Sequence, residues 1–408
     1  MFLELALKNV LRNKKRTAIT LVAVFMGIFF TVLADGLNQG LEWQIGNTYI
    51  KTDSGAAKVV ASGYKIGPLE NPLDYPIRNE QPIVARLGQA SEVKAVSPRI
   101  SFGGTLSNGQ DEIRAFGIGV DPVKEDAVFD RSKSIISGRF LKPGDTGIVL
   151  GSDLARLLQV KVGDTVTIIA KATEMGYNAY DLEIKGLIRT ANPAVDAGTF
   201  FVPIGFAKDF LSFKGVTEIA VAVKDNNRIV QFAKDFNTNG FSQKIKVLTW
   251  RDFAADFIQL IAFRRRMMSI ITGIILLMAA AGIMNTMLMA ILERKKEIGV
   301  MMAMGVRRPE VLRLFLAEGS LIGLLGSATA VILGGILIYY YQLQGIPFAG
   351  SDQLGNFPIA GRFYPFLVPG HLIAYLILGV GVAVLSTLYP AWKSTCLKPV
   401  EAIQGRRG

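Results

Sequence analysis

Four long runs of this chain contain no Lys, Arg, Asp or Glu: Thr17–Ala34, Met267–Leu292, Gly319–Tyr341 and Phe363–Trp392. A hydrocarbon core about 30 Å thick takes roughly 20 residues of helix, so each run can span it, with Thr17–Ala34 near the short limit. The mean hydropathy of +0.35 is therefore concentrated rather than spread. Four transmembrane helices are expected.

The charge between these runs sets an orientation. Segments 1–16, 293–318 and 391–408 together hold 15 basic and 6 acidic residues, whereas the long segment 35–266 holds 29 basic and 26 acidic. Most of the formal +12 thus alternates across the spans, as the positive-inside rule requires. Both termini and the loop after the second span are expected in the cytoplasm, with 35–266 outside. The charge excess is then no sign of a nucleic-acid partner. A cleaved signal peptide is the competing reading of the first span. Its apolar run exceeds a signal core of about 7–15 residues, and Val32-Leu33-Ala34 is a poor cleavage site.

The single cysteine, Cys396, falls in the expected cytoplasmic tail, so an external disulfide framework is excluded. One Cys and one His cannot assemble a metal cluster. His371 begins the fourth span; an interfacial role is expected, since a proton relay would need an acidic partner that the spans lack.

Between the first two spans the texture changes. Leu37, Leu41 and Ile45 prolong the first helix outward as a stalk, and Phe253, Phe257, Leu260 and Ile261 form a returning stalk with Thr249 as N-cap. Arg264, Arg265 and Arg266 are expected to meet headgroups. Thr165–Ile168, Leu182–Ile184 and Ile219–Val223 have strand period, with turns at Asn108-Gly109 and Val162-Gly163-Asp164. Helices are expected from Pro82, from Ser152 as a cap, and over Ile229–Phe236. The fold class is membrane α-helical, with a large α+β extracytoplasmic domain inserted between helices one and two. That domain has no His and no Cys, which removes the usual nucleophile–base pairs, and no Gly-x-Ser-x-Gly elbow is present. No Gly-Lys-Ser/Thr occurs anywhere, so the chain carries no phosphate-cradling P-loop.

The most informative stretch runs from Asn285 to Gly305. The second span leads directly into a short charged helix in which Ile298, Met301 and Met302 offer an apolar patch. Gly299 permits close approach of another backbone, and Gly305 can end the helix in the left-handed conformation. A solvated connector would need neither feature, so a docking element is expected.

Asn285, then Glu293-Arg294-x-x-Glu297-Ile298-Gly299 and Ala303-x-Gly305, resembles the signature of the MacB/FtsX/LolC-LolE family of ABC permeases, the mechanotransmission or type VII permeases. Phe315–Glu318 with Gly323 and Gly326 is similar to that family's entry to span three. Ala6–Thr17 is similar to its lead-in helix, Tyr389–Lys393 with Lys398–Ile403 to its closing motif, and Gly147–Gly151 to its outer core. One departure is Met302, where many relatives carry a basic residue.

The resemblance implies a layout: lead-in and first span (1–34), outer domain with stalks (35–266), second span (267–292), coupling loop (293–313), third span (314–341), outer loop (342–365), fourth span (366–390) and tail (391–408). It implies that Glu293, Arg294, Glu297, Ile298, Gly299, Met302, Ala303 and Gly305 couple the chain to a cytoplasmic ABC ATPase dimer. ATP and Mg belong to that partner, and this chain binds no cofactor itself. It implies a second permease, identical or different, in a bacterial inner membrane.

Within the family, fused efflux pumps of the MacB type begin with an ATPase, whereas this chain begins at the lead-in helix. Gly55–Tyr64 looks like the start of the outer domain in lipoprotein-releasing LolC/LolE permeases. Nine of the twelve Met residues lie in 267–304, which suits either a groove for acyl chains or ordinary packing. Phe25, Phe29, Met268 and Met278 are the candidate lining of a substrate gap between spans one and two. The expected cargo is a lipoprotein, passed on to a periplasmic carrier. Efflux of a small molecule or peptide, and signalling to a cell-wall hydrolase, are the alternatives.

Overall fold

The computed structural model describes residues 14–67, 70–172, 176–190, 192–239, 244–347 and 362–395. The Ala6–Arg12 lead-in motif, Cys396 and the Lys398–Ile403 motif lie outside these residues.

The elements in chain order are α1 (Lys14–Thr52), β1 (Ala57–Ala61), α2 (Glu80–Gln89), β2 (Val93–Ser107), β3 (Glu112–Val120), α3 (Pro122–Phe129), β4 (Ile135–Gly138), β5 (Ile148–Gly151), α4 (Ser152–Leu157), β6 (Thr165–Ala172), β7 (Gly176–Ile188), α5 (Pro193–Gly198), β8 (Thr199–Pro203), α6 (Ile204–Leu211), β9 (Glu218–Val223), α7 (Ile229–Asn239), β10 (Ile245–Thr249), α8 (Trp250–Phe253), α9 (Ala255–Glu293), α10 (Lys295–Ala303), α11 (Arg308–Gln344) and α12 (Pro369–Thr395). Packing divides them into a helical unit (1–42, 260–346, 364–408) and a sheet unit (43–259, 347–363). The division cuts through α1 and α9, inside the stalks that the sequence assigns wholly to the outer domain.

Among the described residues, α1, α9, α11 and α12 are long and apolar enough to cross a membrane. At 39 residues each, α1 and α9 run about 58 Å, nearly twice the hydrocarbon thickness. Lipid offers no hydrophobic drive between helices, so close backbone approach must supply the packing. Glycines provide it. Gly326 faces Val24, Gly334 faces Val32, and Gly379 faces Ile28 and Ser327. A Cβ at Gly323 would lie 2.7 Å from that of Ala383. The resulting core includes Ile28, Ile283, Met287 and Ile322.

A contact with α1 also puts His371 in a different light. His371 Nδ1 lies 2.8 Å from Asp35 Oδ2. The acidic partner missing from the charge-free runs is thus supplied from one residue beyond the first of them, because α1 continues without a break. Arg265, expected among headgroups, lies 3.3 Å from Glu42.

The sheet unit is built on a ten-stranded sheet in the order β10-β1-β9-β2-β3-β8-β5-β7-β4, with β6 joining β2 to β7. Strands β2, β3, β8, β5, β7 and β6 therefore form a closed path. The 15-residue β2 makes closure possible: Val93–Arg99 pairs with β9, and Gly104–Ser107 pairs with β6. Inward residues such as Phe102, Leu106, Ile168 and Phe200 are fully buried. The turn at Asn108-Gly109 joins β2 to β3, with Asn108 Oδ1 accepting from the Gln110 and Asp111 amides at 2.8 and 2.7 Å. The expected strands fall within β6, β7 and β9. Two helix starts differ from expectation. Gly151, not Ser152, is the N-cap of α4, because β5 runs straight into the helix; Ser152 Oγ instead accepts from Arg189 at 3.2 Å. α2 starts at Glu80, two residues before Pro82.

Inside this unit, charges from distant parts of the sequence meet. Glu125 Oε2 accepts from Arg99 Nε and Ser97 Oγ, each at 2.9 Å, and Glu125 Oε1 accepts from Arg131 Nε at 3.1 Å. The Phe129 ring lies 3.9 Å from the Arg99 guanidinium carbon and 4.5 Å from that of Arg131. Glu218 sits 3.2 Å from Lys58 and 3.7 Å from Arg99, and Lys58 is 3.3 Å from Asp53 at the rim. Three acids balance three bases. Burial pushes the Glu125 carboxyl up, but Arg99 and Arg131 outweigh it and hold it below the usual carboxylate range.

Candidate coupling loop and membrane gap

α9 ends at Glu293, and the chain bends at Arg294 (φ −95, ψ 13) before α10 begins. The Arg294 side chain turns inward. Its Nη1 lies 3.6 Å from Glu318 Oε2 of α11, and both side chains are buried. Next, Ile298 packs with Ile291, Val311, Phe315 and Ala391, while Met301 and Met302 lie against the same cluster. The apolar patch read as a docking surface is therefore the underside of α10, spent on the chain's own helices. Gly299 is buried as well.

Gly305 reverses the chain at φ +98, with its amide donating to Met302 O at 3.2 Å and the Val306 amide to Met301 O at 3.1 Å. α11 follows, its start fixed by the Arg307 amide donating to Glu310 Oε2 at 2.9 Å.

The exposed face of α10 is consequently different from the one expected. Of the candidate coupling residues, Glu293, Glu297, Ala303 and Gly305 are exposed, Met302 is half-buried, and Arg294, Ile298 and Gly299 face inward. Beyond the exposed acids stand Val300 at 45% and Met304 at 73% exposure. Sequence reading passed over both. Glu293, Glu297, Val300 and Met304 follow one another at steps of four, three and four residues, the one-face helical pattern that would have found them.

The four gap candidates do not form one wall. Phe25 and Phe29 stack at 5.2 Å between ring centroids, and the Phe29 ring lies beside Gly334 of α11. Met278 is 71% exposed on α9, whereas its neighbours Leu276 and Ile275 lie against α1 at Gly27. Met268 is half-buried. Farther along the α1–α9 contact, the Thr20 and Thr286 hydroxyls lie 3.0 Å apart. Among the described residues no group of three or more His, Cys, Asp or Glu is placed to hold a metal.

Residues 17–239 match the MacB-like periplasmic core domain, and residues 269–399 match the FtsX-like permease C-terminal region. The chain is 24% identical to the lipoprotein-releasing system transmembrane protein LolC of Xylella fastidiosa, over 81% of this chain and 82% of that protein. It is 22% identical to LolC of Neisseria meningitidis over 97% of each, and 25% identical to the ABC transporter permease YtrF of Bacillus subtilis, also over 97% of each. Among solved structures, the periplasmic region of MacB from Actinobacillus actinomycetemcomitans is 14% identical with a TM-score of 0.35, covering 52% of this chain and 95% of that one. With an FtsX-like region and a MacB-like core joined in one multi-pass membrane chain, this protein belongs to the MacB/FtsX/LolC-LolE family of ABC transporter permeases and is a transporter permease, not an enzyme.

Proposed function

We propose that this chain is the permease subunit of an ATP-driven complex that extracts lipoproteins from the inner membrane. The observation that carries this reading is the likeness to lipoprotein-releasing LolC along nearly the whole chain, outer core and permease region together. ATP and Mg bind a separate ABC ATPase dimer. The exposed acids, Val300 and Met304 of α10 meet it, while the buried Arg294–Glu318 pair ties α10 to α11 so that a push on the loop reaches a span. A second permease completes the complex, and a periplasmic carrier takes the cargo. Both termini lie in the cytoplasm, a reading that the charge partition supports.

Each acyl methylene withdrawn from lipid costs about 0.8 kcal/mol, so extracting whole chains demands coupled ATP hydrolysis. The exposed α9 face around Met267, Ile274 and Met278 offers apolar surface along which acyl chains leave; Phe25 and Phe29 pack α1 onto the helical core. A photo-crosslinker replacing Met278, in the full complex with its ATPase, is expected to capture an acylated protein. Capture of a soluble drug or peptide, with no acylated protein, would transfer the reading to efflux, which the MacB-like core and the likeness to YtrF also accommodate.

A further inference from the structure

The two long helices are secured in the sheet unit by different means. A helix ends with carbonyl groups that lack intrahelical partners. At the end of α1, Arg131 Nη2 donates to Thr52 O at 2.8 Å and Arg99 Nη1 donates to Asp53 O at 2.7 Å. Both guanidinium groups are almost wholly buried and share the Glu125 carboxylate. Asn192 Nδ2 adds a bond to Thr52 Oγ1 at 3.3 Å. The start of α9 is held differently, by contacts that include the Phe257 ring 6.1 Å from that of Tyr49 on α1. A four-residue α8 precedes it, the backbone bends at Ala254 (φ −91, ψ 16), and the entry rests on the Thr249–Asp252 capping box and on Trp250 against Gly46 of α1.

Stability alone does not require the charges, because buried ion clusters are often replaced by apolar groups without loss of fold. What a guanidinium fork supplies is direction: its planar donors fix the angle at which a partner is held. Here the partner is the terminus of a 39-residue helix, at the end favoured by positive charge.

Building on the proposed ATP-driven function, we propose that Arg99, Glu125 and Arg131 form a rigid joint that delivers displacement of α1, rather than of α9, to the sheet unit. Arg99 and Arg131 are positioning residues that lock the helix to β2 and to the turn after α3. The bend at Ala254 leaves α9 to follow.

The test uses the full chain with Cys396→Ser, reconstituted with its ABC ATPase in nanodiscs and spin-labelled at exposed Gln110 and Ile373. An ATP-driven change in the distance between the labels is expected. The combined Arg99→Met, Glu125→Leu, Arg131→Met variant is expected to lose that change while keeping its Tm and ATP hydrolysis. Ala254→Gly is expected to retain the change. Should the combined variant not fold, Arg131→Lys keeps the charge without the fork and is expected to reduce the change at unaltered Tm. A full change in the combined variant or in Arg131→Lys, or its loss in Ala254→Gly, overturns the joint. An unchanged distance in the parent instead overturns the transmission reading itself.

Discussion

Asp196 and Glu125 are both buried carboxylates of the sheet unit, yet their surroundings drive them in opposite directions. Glu125 lies between two guanidinium groups and stays ionised. Asp196 pairs with no guanidinium in this way: burial, helped by the nearby Asp153 charge, pushes its carboxyl up to about 6 against the opposing Thr190 hydrogen bonds at 2.8 and 2.9 Å and the weaker pull of Arg189. Its folded pKa exceeds the unfolded value of about 3.9, so its contribution to stability is fully present below pH ~4 and is lost as pH rises through about 6. Asp196→Asn keeps an oxygen to accept both Thr190 bonds and cannot ionise. It is expected to raise stability at pH ~7.5 by about 1–2 kcal/mol and to give no gain near pH 4, read as Tm against pH. An equal gain at both pH values would show that charge is not the cause. None of this was visible in the sequence, where nothing sets Asp196 and Thr190 apart from other polar residues.

At the scale of elements, α10 shows what periodicity can and cannot tell. A charged helix directly after a span, closed by Gly305, was readable because capping and left-handed backbone are local properties. Which face it buries was not, since that depends on Phe315 and Ala391, from α11 and α12. Met304→Glu adds charge to the exposed face without touching the cluster. It is expected to weaken assembly with the ATPase at least tenfold while leaving expression and Tm unchanged, measured by co-purification and by a thermal melt. Gly299→Leu instead places a large side chain in a buried position and is expected to cost stability by overpacking, of the order of 1–3 kcal/mol, read as a fall in Tm. If Met304→Glu assembles normally, α10 does not dock through this face.

For the whole molecule, the four apolar helices and the alternation of charge define a topology that labelling can check. In a Cys396→Ser background, cysteine at Gln110 is expected to react with an impermeant maleimide in intact cells, and cysteine at Arg308 only after lysis. The opposite pattern would reverse the orientation.

Hydrophobicity and charge act on each segment separately, so the sequence alone determined the four spans, the α+β texture between the first two, and the loop and motifs that mark an ABC permease. Closure of six strands, the inward turn of Ile298 and Gly299, the Asp35–His371 contact and the Arg99–Glu125–Arg131 cluster were decided only by the tertiary structure. Each depends on residues far apart in the chain. Arg99 is as hydrophilic in sequence as any exposed arginine, and only the packing of β2 against α3 and the end of α1 surrounds it with the Glu125 carboxylate and the Asp53 backbone carbonyl that make its burial tolerable.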